Sequence, residues 1–130
     1  MSAGKRYVFE GFTEVTPYVY GGIGLVDFMK RVFGAEITHV PEPDPSGQFH
    51  GEALIGHARL MFGSGHFVDK SNQAAIWIYV PDVDATHRAA LQAGATLVRE
   101  PADQRWGDRV SGVKDAFGNT WWIATHKGAH

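Results

Sequence analysis

FGAEITHVPEP at residues 33–43 returns as AGATLVREP at residues 93–101, with Gly34 and Gly94 sixty residues apart. In each copy a glycine leads into a short β-branched run that stops at a proline, the punctuation of a helix end followed by a strand. Upstream of Gly34, the residues Leu25, Phe28, Met29 and Val32 fall at i, i+3, i+4 and i+7, which predicts a helix from Leu25 to Phe33. Upstream of Gly94, Val83, His87, Ala90 and Leu91 share one stripe of a helix from Asp82 to Ala93. Further out, VTPYVY (15–20) and AIWIYV (75–80) read as strands leading into those helices.

Downstream the pattern repeats as well. AEITHV (35–40) is followed by strands at 48–55 and 57–62 joined through Gly56, and residues 96–98 are followed by strands at about 106–113 and 120–125 around KDAFGN. The polar, glycine-rich GSGHFVDKSNQ (63–73) reads as a linker. The chain is therefore expected to be an α+β protein of two tandem βαβββ modules, at 13–65 and 74–126, within a single domain over 1–130. Neither half buries both its helix and its sheet face alone. A doubly wound parallel fold needs strand and helix to alternate throughout, and these runs of strands do not.

With 130 residues, 44% hydrophobic and 20% charged, the chain falls in the ordinary range of one globular domain. The absence of cysteine excludes a disulfide scaffold, a thiolate metal site and a cysteine nucleophile. A net charge of −2 with scattered basic residues gives no footprint for nucleic acid or an anionic membrane. Neither the start MSAGKRYVFEGFTEVT nor any later run has the apolar length of a signal peptide or a membrane span, so the expectation is a cytoplasmic protein. Seven histidines in a thiol-free chain raise the question of an imidazole and carboxylate metal site.

Taken in order, VTPYVY, DFMKRVFGAE, HGEALIG, VPDVDATHRAALQAGA, WGDRV and DAFGNTWWIATH resemble the vicinal oxygen chelate superfamily, in its glyoxalase and bleomycin-resistance branch, from Val15 to His126. The resemblance implies two βαβββ modules forming a cupped mixed sheet around a pocket, usually assembled as a homodimer. In metal-dependent members it implies a divalent ion held by His and Glu from four strands. Carried over by local matching, those four positions fall near Thr16, Met61 or Phe62, Ala75 and Trp122, none of them a histidine or carboxylate. Thr, Met, Ala and Trp do not supply the imidazole nitrogen or carboxylate oxygen that such ions take. The expectation is that the usual metal and any other cofactor are absent, which counts against glyoxalase, epimerase and dioxygenase chemistry. The first strand-to-helix link, with Gly21, Gly22 and Gly24, is also shorter than the family pattern.

Among single residues, His50 and Glu52 rank first as catalytic candidates. Two apart on a strand, they share a face, and a histidine beside a carboxylate is the minimal equipment for moving a proton or orienting a polar ligand. The plain alternative is a solvated strand face. Trp77, Trp106, Asp108, Arg109 and Trp122 are the ligand-binding candidates, because aromatic lining suits a planar or apolar molecule. In WGDRV either Trp106 and Asp108 or Arg109 faces the pocket, and an inward arginine would favour an anion; the plain alternative is that Asp108 and Arg109 form surface ion pairs. Each tryptophan of 121–122 and the pair Trp77 and Ile78 is expected to divide between core and cavity. His87 is expected to be hydrogen-bonded beneath the sheet and His57 to be structural, while His39, His66, His126 and His130 read as solvated. YGGIGLVDF lacks the lysine and spacing of a phosphate loop.

The leading functional expectation is a metal-free protein that binds or sequesters a drug-like or metabolic compound in an aromatic pocket. The competing one is a metal-dependent lyase, isomerase or dioxygenase, holding Zn, Ni, Fe or Mn through His50, Glu52 and His57. A third is an accessory subunit whose cavity admits nothing.

Overall fold

The computed structural model describes residues 7–65 and 67–128. The first module is β1 (Tyr18–Tyr20), α1 (Gly24–Phe33), β2 (Glu36–His39), β3 (Phe49–Ile55) and β4 (Ala58–Ser64). The second is β5 (Ala75–Tyr79), α2 (Val83–Gln92), β6 (Thr96–Asp103), β7 (Asp108–Lys114) and β8 (Thr120–His126). Each module is a four-stranded mixed sheet, in the orders β1-β4-β3-β2 and β5-β8-β7-β6. In each, the strand before the helix pairs parallel with the last strand and the other pairs are antiparallel. The repeat in the sequence is thus a repeat in topology.

The helices form where the stripes lie. Leu25, Phe28, Met29 and Val32 of α1 are buried, and Gly34 closes the helix at φ 67°, donating its N–H back to the Lys30 carbonyl at 3.1 Å. A left-handed residue at that position favours glycine, since any Cβ would crowd the carbonyl. The Asp82 carboxylate caps α2 by accepting from the Ala85 N–H at 3.1 Å. Val83, His87 and Ala90 of α2 are buried, but Leu91, expected on the same stripe, lies at the helix margin with 38% exposure.

The modules join on the helix side. The Trp121 ring, fully buried, packs against Phe33 and Phe28 of the other module at centroid distances of 4.8 and 6.0 Å. Beside it the turn at 115–119 is tied by its own first residue. Asp115 accepts from the backbone N–H groups of Phe117 and Asn119 and from the Trp121 indole at 2.9 Å. Asn119 then bridges the halves, donating to the Tyr20 carbonyl at 2.8 Å and accepting from the Ala74 N–H at 3.0 Å. Buried backbone groups need such partners, so this turn is the clasp between modules.

Some boundaries differ from those expected. The first strand starts at Tyr18 rather than Val15, which is exposed ahead of Pro17. β4 runs on to Ser64, two residues past the expected end. The sixth strand does not stop at residue 98 but passes through Glu100 and Pro101 to Asp103. It is an edge strand with register breaks at Leu97/Arg99 and Arg99/Ala102, the setting that tolerates a proline lacking its N–H. β7 begins only at Asp108, which leaves Trp106 in the preceding turn. His57 likewise lies exposed in the turn after Gly56. Among the described residues no helix is long and apolar enough to cross a membrane.

Candidate functional site

Each sheet has one face under the helices and one open face. In β5, Ile76 and Ile78 pack against the core while Trp77 and Tyr79 stand on the open side, 44% and 62% exposed. In β1, Val19 is core and Tyr18 and Tyr20 alternate with it. The register then sets two comparable rows across the open faces. In the first module Tyr18, Met61 and Glu52 lie side by side. In the second the same positions, each about sixty residues on, hold Trp77, Trp122 and Gly112.

The first row carries a hydrogen-bonded chain. The His50 ring lies 2.9 Å from the Glu52 carboxylate through Nε2 and 2.9 Å from the Tyr18 hydroxyl through Nδ1. A carboxylate only accepts, so Nε2 carries the proton, and on the neutral ring the Nδ1 lone pair accepts from the Tyr18 O–H. Desolvation by burial, with a smaller contribution from the nearby Glu52 charge, raises the Tyr18 phenol above its ordinary value. Tyr18 is thereby kept protonated, with its hydrogen directed at His50 and its oxygen lone pair left for a third group.

Over this chain opens a cavity of about 570 Å³, lined by Tyr18, His50 and Met61 together with residues from β2, the following loop and the end of β4. That volume falls within the usual range of ligand pockets. Phe67 supplies further apolar wall, its ring lying 6.3 Å from that of Tyr18, while Phe49 lines the cavity from the strand whose core face carries its ring. His39, expected to be solvated, stands at the rim with its ring 6.1 Å from His50. Gly63 is needed in β4 beside the cavity strand, since a Cβ there would approach the Phe49 carbonyl oxygen to 2.3 Å.

The second row is aromatic. Trp122 lies over Gly112, where an added Cβ would come within 2.6 Å of the indole, and the Arg99 guanidinium sits 5.6 Å above the same ring. Beyond the row, Asp108 is 2% exposed and accepts from the Tyr79 hydroxyl at 3.2 Å and pairs with His126 Nδ1 at 2.7 Å. The His126 bond, then smaller contributions from Trp106 and Tyr79, hold the Asp108 carboxyl below its usual range despite burial.

Of the residues singled out from sequence, His50 and Glu52 meet on one strand face, His50 lining the cavity and Glu52 lying behind it. Trp77 and Trp122 are register neighbours on the open face of the other module. Asp108 shares that open face, while Trp106 reaches it from the turn. Arg109 points the opposite way, onto the helix side, where its guanidinium donates to Asp84 of α2 at 3.0 and 3.3 Å and to Asp103 at 3.2 Å. These bonds raise the Arg109 pKa and lower that of Asp84, while Asp103 is lowered first by its bond to Lys127 and then by that to Arg109. The arginine does not line the cavity of the first module; it borders a smaller hollow of about 310 Å³ beside Asp84 and Lys127. His126 is exposed at the end of β8, as expected, and its Nδ1 also holds Asp108 at 2.7 Å. His87 is buried and bonded to Ser111 Oγ at 2.9 Å, as expected. Of the tryptophan pairs, Trp121 is core and Trp122 is not, and Ile78 rather than Trp77 faces inward. His66 and His130 lie outside the described residues. Tyr18 was missed: its signal was its place opposite the HGE strand, which depends on the parallel β1 to β4 pairing.

The model of the Glyoxalase/Bleomycin resistance protein/Dioxygenase superfamily matches residues 24–123. An uncharacterized protein of Mycobacterium bovis is 35% identical over 108 residues, covering 74% of this chain and 70% of its own. An uncharacterized protein of Mycobacterium tuberculosis is 35% identical over the same length, and the match spans 63% of that protein. Among solved structures, TioX from Micromonospora sp. ML1 superposes with a TM-score of 0.64 at 23% identity, covering 91% of this chain and 99% of its own. The fosfomycin resistance protein FosX from Listeria monocytogenes gives 0.65 at 18% identity, covering 93% and 95%. At these identities the structural likeness speaks to the fold.

Proposed function

The chain belongs to the Glyoxalase/Bleomycin resistance protein/Dioxygenase superfamily, and from that premise we propose that it binds a small organic molecule in the cavity of the first module, without a divalent metal. The observation that carries this reading is the Tyr18–His50–Glu52 chain, whose Tyr18 and His50 line a 570 Å³ cavity with Phe67 at its wall. Pockets of this kind fix a ligand's orientation with a few polar groups and take their affinity from apolar surface.

The side chains do not fit the metal found in other members. Among the described residues no three of His, Asp and Glu converge as a ligand set. Both nitrogens of His50 are already committed, one as a donor to Glu52 and one as an acceptor from Tyr18. Recruiting His50 to an ion would break the bond to Tyr18 or to Glu52, and His57, the third ligand considered, lies in the exposed turn away from it.

The same chain is suited to acid–base chemistry. Should Tyr18 Oη take a proton from a bound molecule, its own hydrogen passes to His50 Nδ1, and Glu52 stabilises the imidazolium that results. Homodimer formation is part of the proposal, supported by the exposed Trp77 and Tyr79 on the open face of the second module.

Two measurements test this reading. Elemental analysis of untagged protein is expected to find no stoichiometric divalent ion, and an equimolar ion lost in His50→Ala would overturn the metal-free reading. A fragment screen by amide chemical-shift mapping is expected to place hits at Gly63, Gly65 and His50. Hits confined to other surfaces would overturn the assignment of the pocket.

A further inference from the structure

Resting on that reading of the cavity, we infer that its ligand is an organic cation, an amine carried on an aromatic or apolar body. Three features of the site converge on this class.

The first is hydrogen-bond polarity. Glu52 fixes the His50 proton on Nε2, His50 takes the Tyr18 hydrogen, and what Tyr18 presents to a ligand is an oxygen lone pair. The chain therefore accepts and does not donate. An ammonium group, with three donors and no acceptor, is complementary to it. A carboxylate or phosphate would meet lone pair against lone pair.

The second is charge. Glu42 and Asp44 line the cavity, and Glu52 lies behind His50. No lysine or arginine is among the lining residues described. One oxygen of Asp44 already accepts from Ser46 and Gln48 in its own loop, so the carboxylate is held in place beside the cavity. Its field, with that of Glu42, favours a positive guest and disfavours a negative one.

The third is the wall. The rings of Tyr18 and Phe67, 6.3 Å apart, border the same space. Aromatic faces attract a cation through the negative centre of the ring, and their area suits an apolar body. The second module shows the contrast: there a cation is already over the ring, because Arg99 covers Trp122. The first module offers rings and acceptors with no resident arginine or lysine among the lining residues.

The test uses three probes of one shape, 2-phenylethylamine, 2-phenylethanol and 3-phenylpropionate, titrated at pH 7.5 and low ionic strength into the full-length protein with amide shift mapping. The amine is expected to bind at the cavity at least tenfold more tightly than the acid, with the alcohol between them. Tyr18→Phe, which keeps the ring and removes the lone pair, is expected to weaken the amine at least fivefold, and Glu42→Gln to weaken it two- to threefold. Added salt is expected to lower amine affinity and leave the alcohol unchanged. Equal or tighter binding of the acid at the cavity overturns the inference while leaving the pocket itself intact. Binding of none of the three there, in a protein whose amide spectrum is that of the folded state, overturns the inference. A mixed fragment screen with cavity hits would then keep the binding proposal, and one without them would end both.

Discussion

The two modules share a topology and a repeat, yet they use the same three positions on their open faces in opposite ways. In the first, Tyr18, Met61 and Glu52 form a row beside His50, and Tyr18, Met61 and His50 line a cavity with Glu52 behind them. In the second, Trp77, Trp122 and Gly112 form the row, and the space is filled by an indole lying on a glycine. A second difference lies in the order of partners. The first module places histidine between tyrosine and carboxylate, so a proton has a path along the chain. The second places the carboxylate of Asp108 between tyrosine and histidine, an acceptor hub that both neighbours point at. Duplication supplied the frame, and a few side chains made one copy a site and the other a packed surface.

That comparison breaks most directly by writing one row into the other. Gly112→Glu, the mirror of Glu52, forces a side chain into the Trp122 ring, and overpacking of this kind costs about 3 kcal/mol. Urea denaturation checks it, and a cost below about 0.5 kcal/mol would mean that the indole moves freely and the row is not packed. Trp122→Ala opens the same row from the other side. Because Trp122 is only partly buried, the expected loss is roughly 2 kcal/mol, under the 3–5 of a fully buried tryptophan. Trp121→Ala, one residue away and in the joint between modules, should reach that full range, and near-equal losses for the two would contradict the division of the faces.

Changes in the first module are expected to act on binding rather than on folding. His50→Ala should alter the urea midpoint little, by less than about 1 kcal/mol as for a partly exposed hydrogen bond, and abolish the cavity shifts of any fragment that binds there. A large loss of stability with binding retained would make the chain structural, like its counterpart.

The smallest expected effect is in the acid limb of stability and belongs to the second module. Asp108 is held below its usual pKa, chiefly by His126, so it contributes stability that is present above the ordinary carboxylate value near 3.9. That contribution is lost as pH falls through the depressed folded value. Asp108→Asn should therefore unfold with a flatter pH dependence below about pH 4 than the parent when followed by circular dichroism. Identical acid limbs would remove Asp108 from its place as the hub.

Much of the frame was legible in the chain because it rests on local chemistry. The stripe at Leu25, Phe28, Met29 and Val32, the stop at Gly34 and the cap at Asp82 each act within one or two turns of backbone. The sharing of a face by His50 and Glu52 follows from the two-residue period of a strand and needed no tertiary information. Features that depended on pairing were read less well. WGDRV left open which way Arg109 points, because the answer depends on where β7 starts, and that start is set by Asp108 meeting His126 across the sheet. Pro101 looked like a strand end and is not one, because only the sheet order shows β6 to be an edge.

By itself the sequence determined the duplicated βαβββ frame, the helices and the His50 and Glu52 pair, since periodicity, capping and strand alternation are properties of neighbours along the chain. Only the tertiary structure decided that Tyr18, thirty-two residues from His50, completes the chain. It also decided that the equivalent row at Trp77, Trp122 and Gly112 is filled. Those outcomes depend on register between strands distant in sequence, and a side chain's partner across a sheet is fixed by pairing and not by its neighbours.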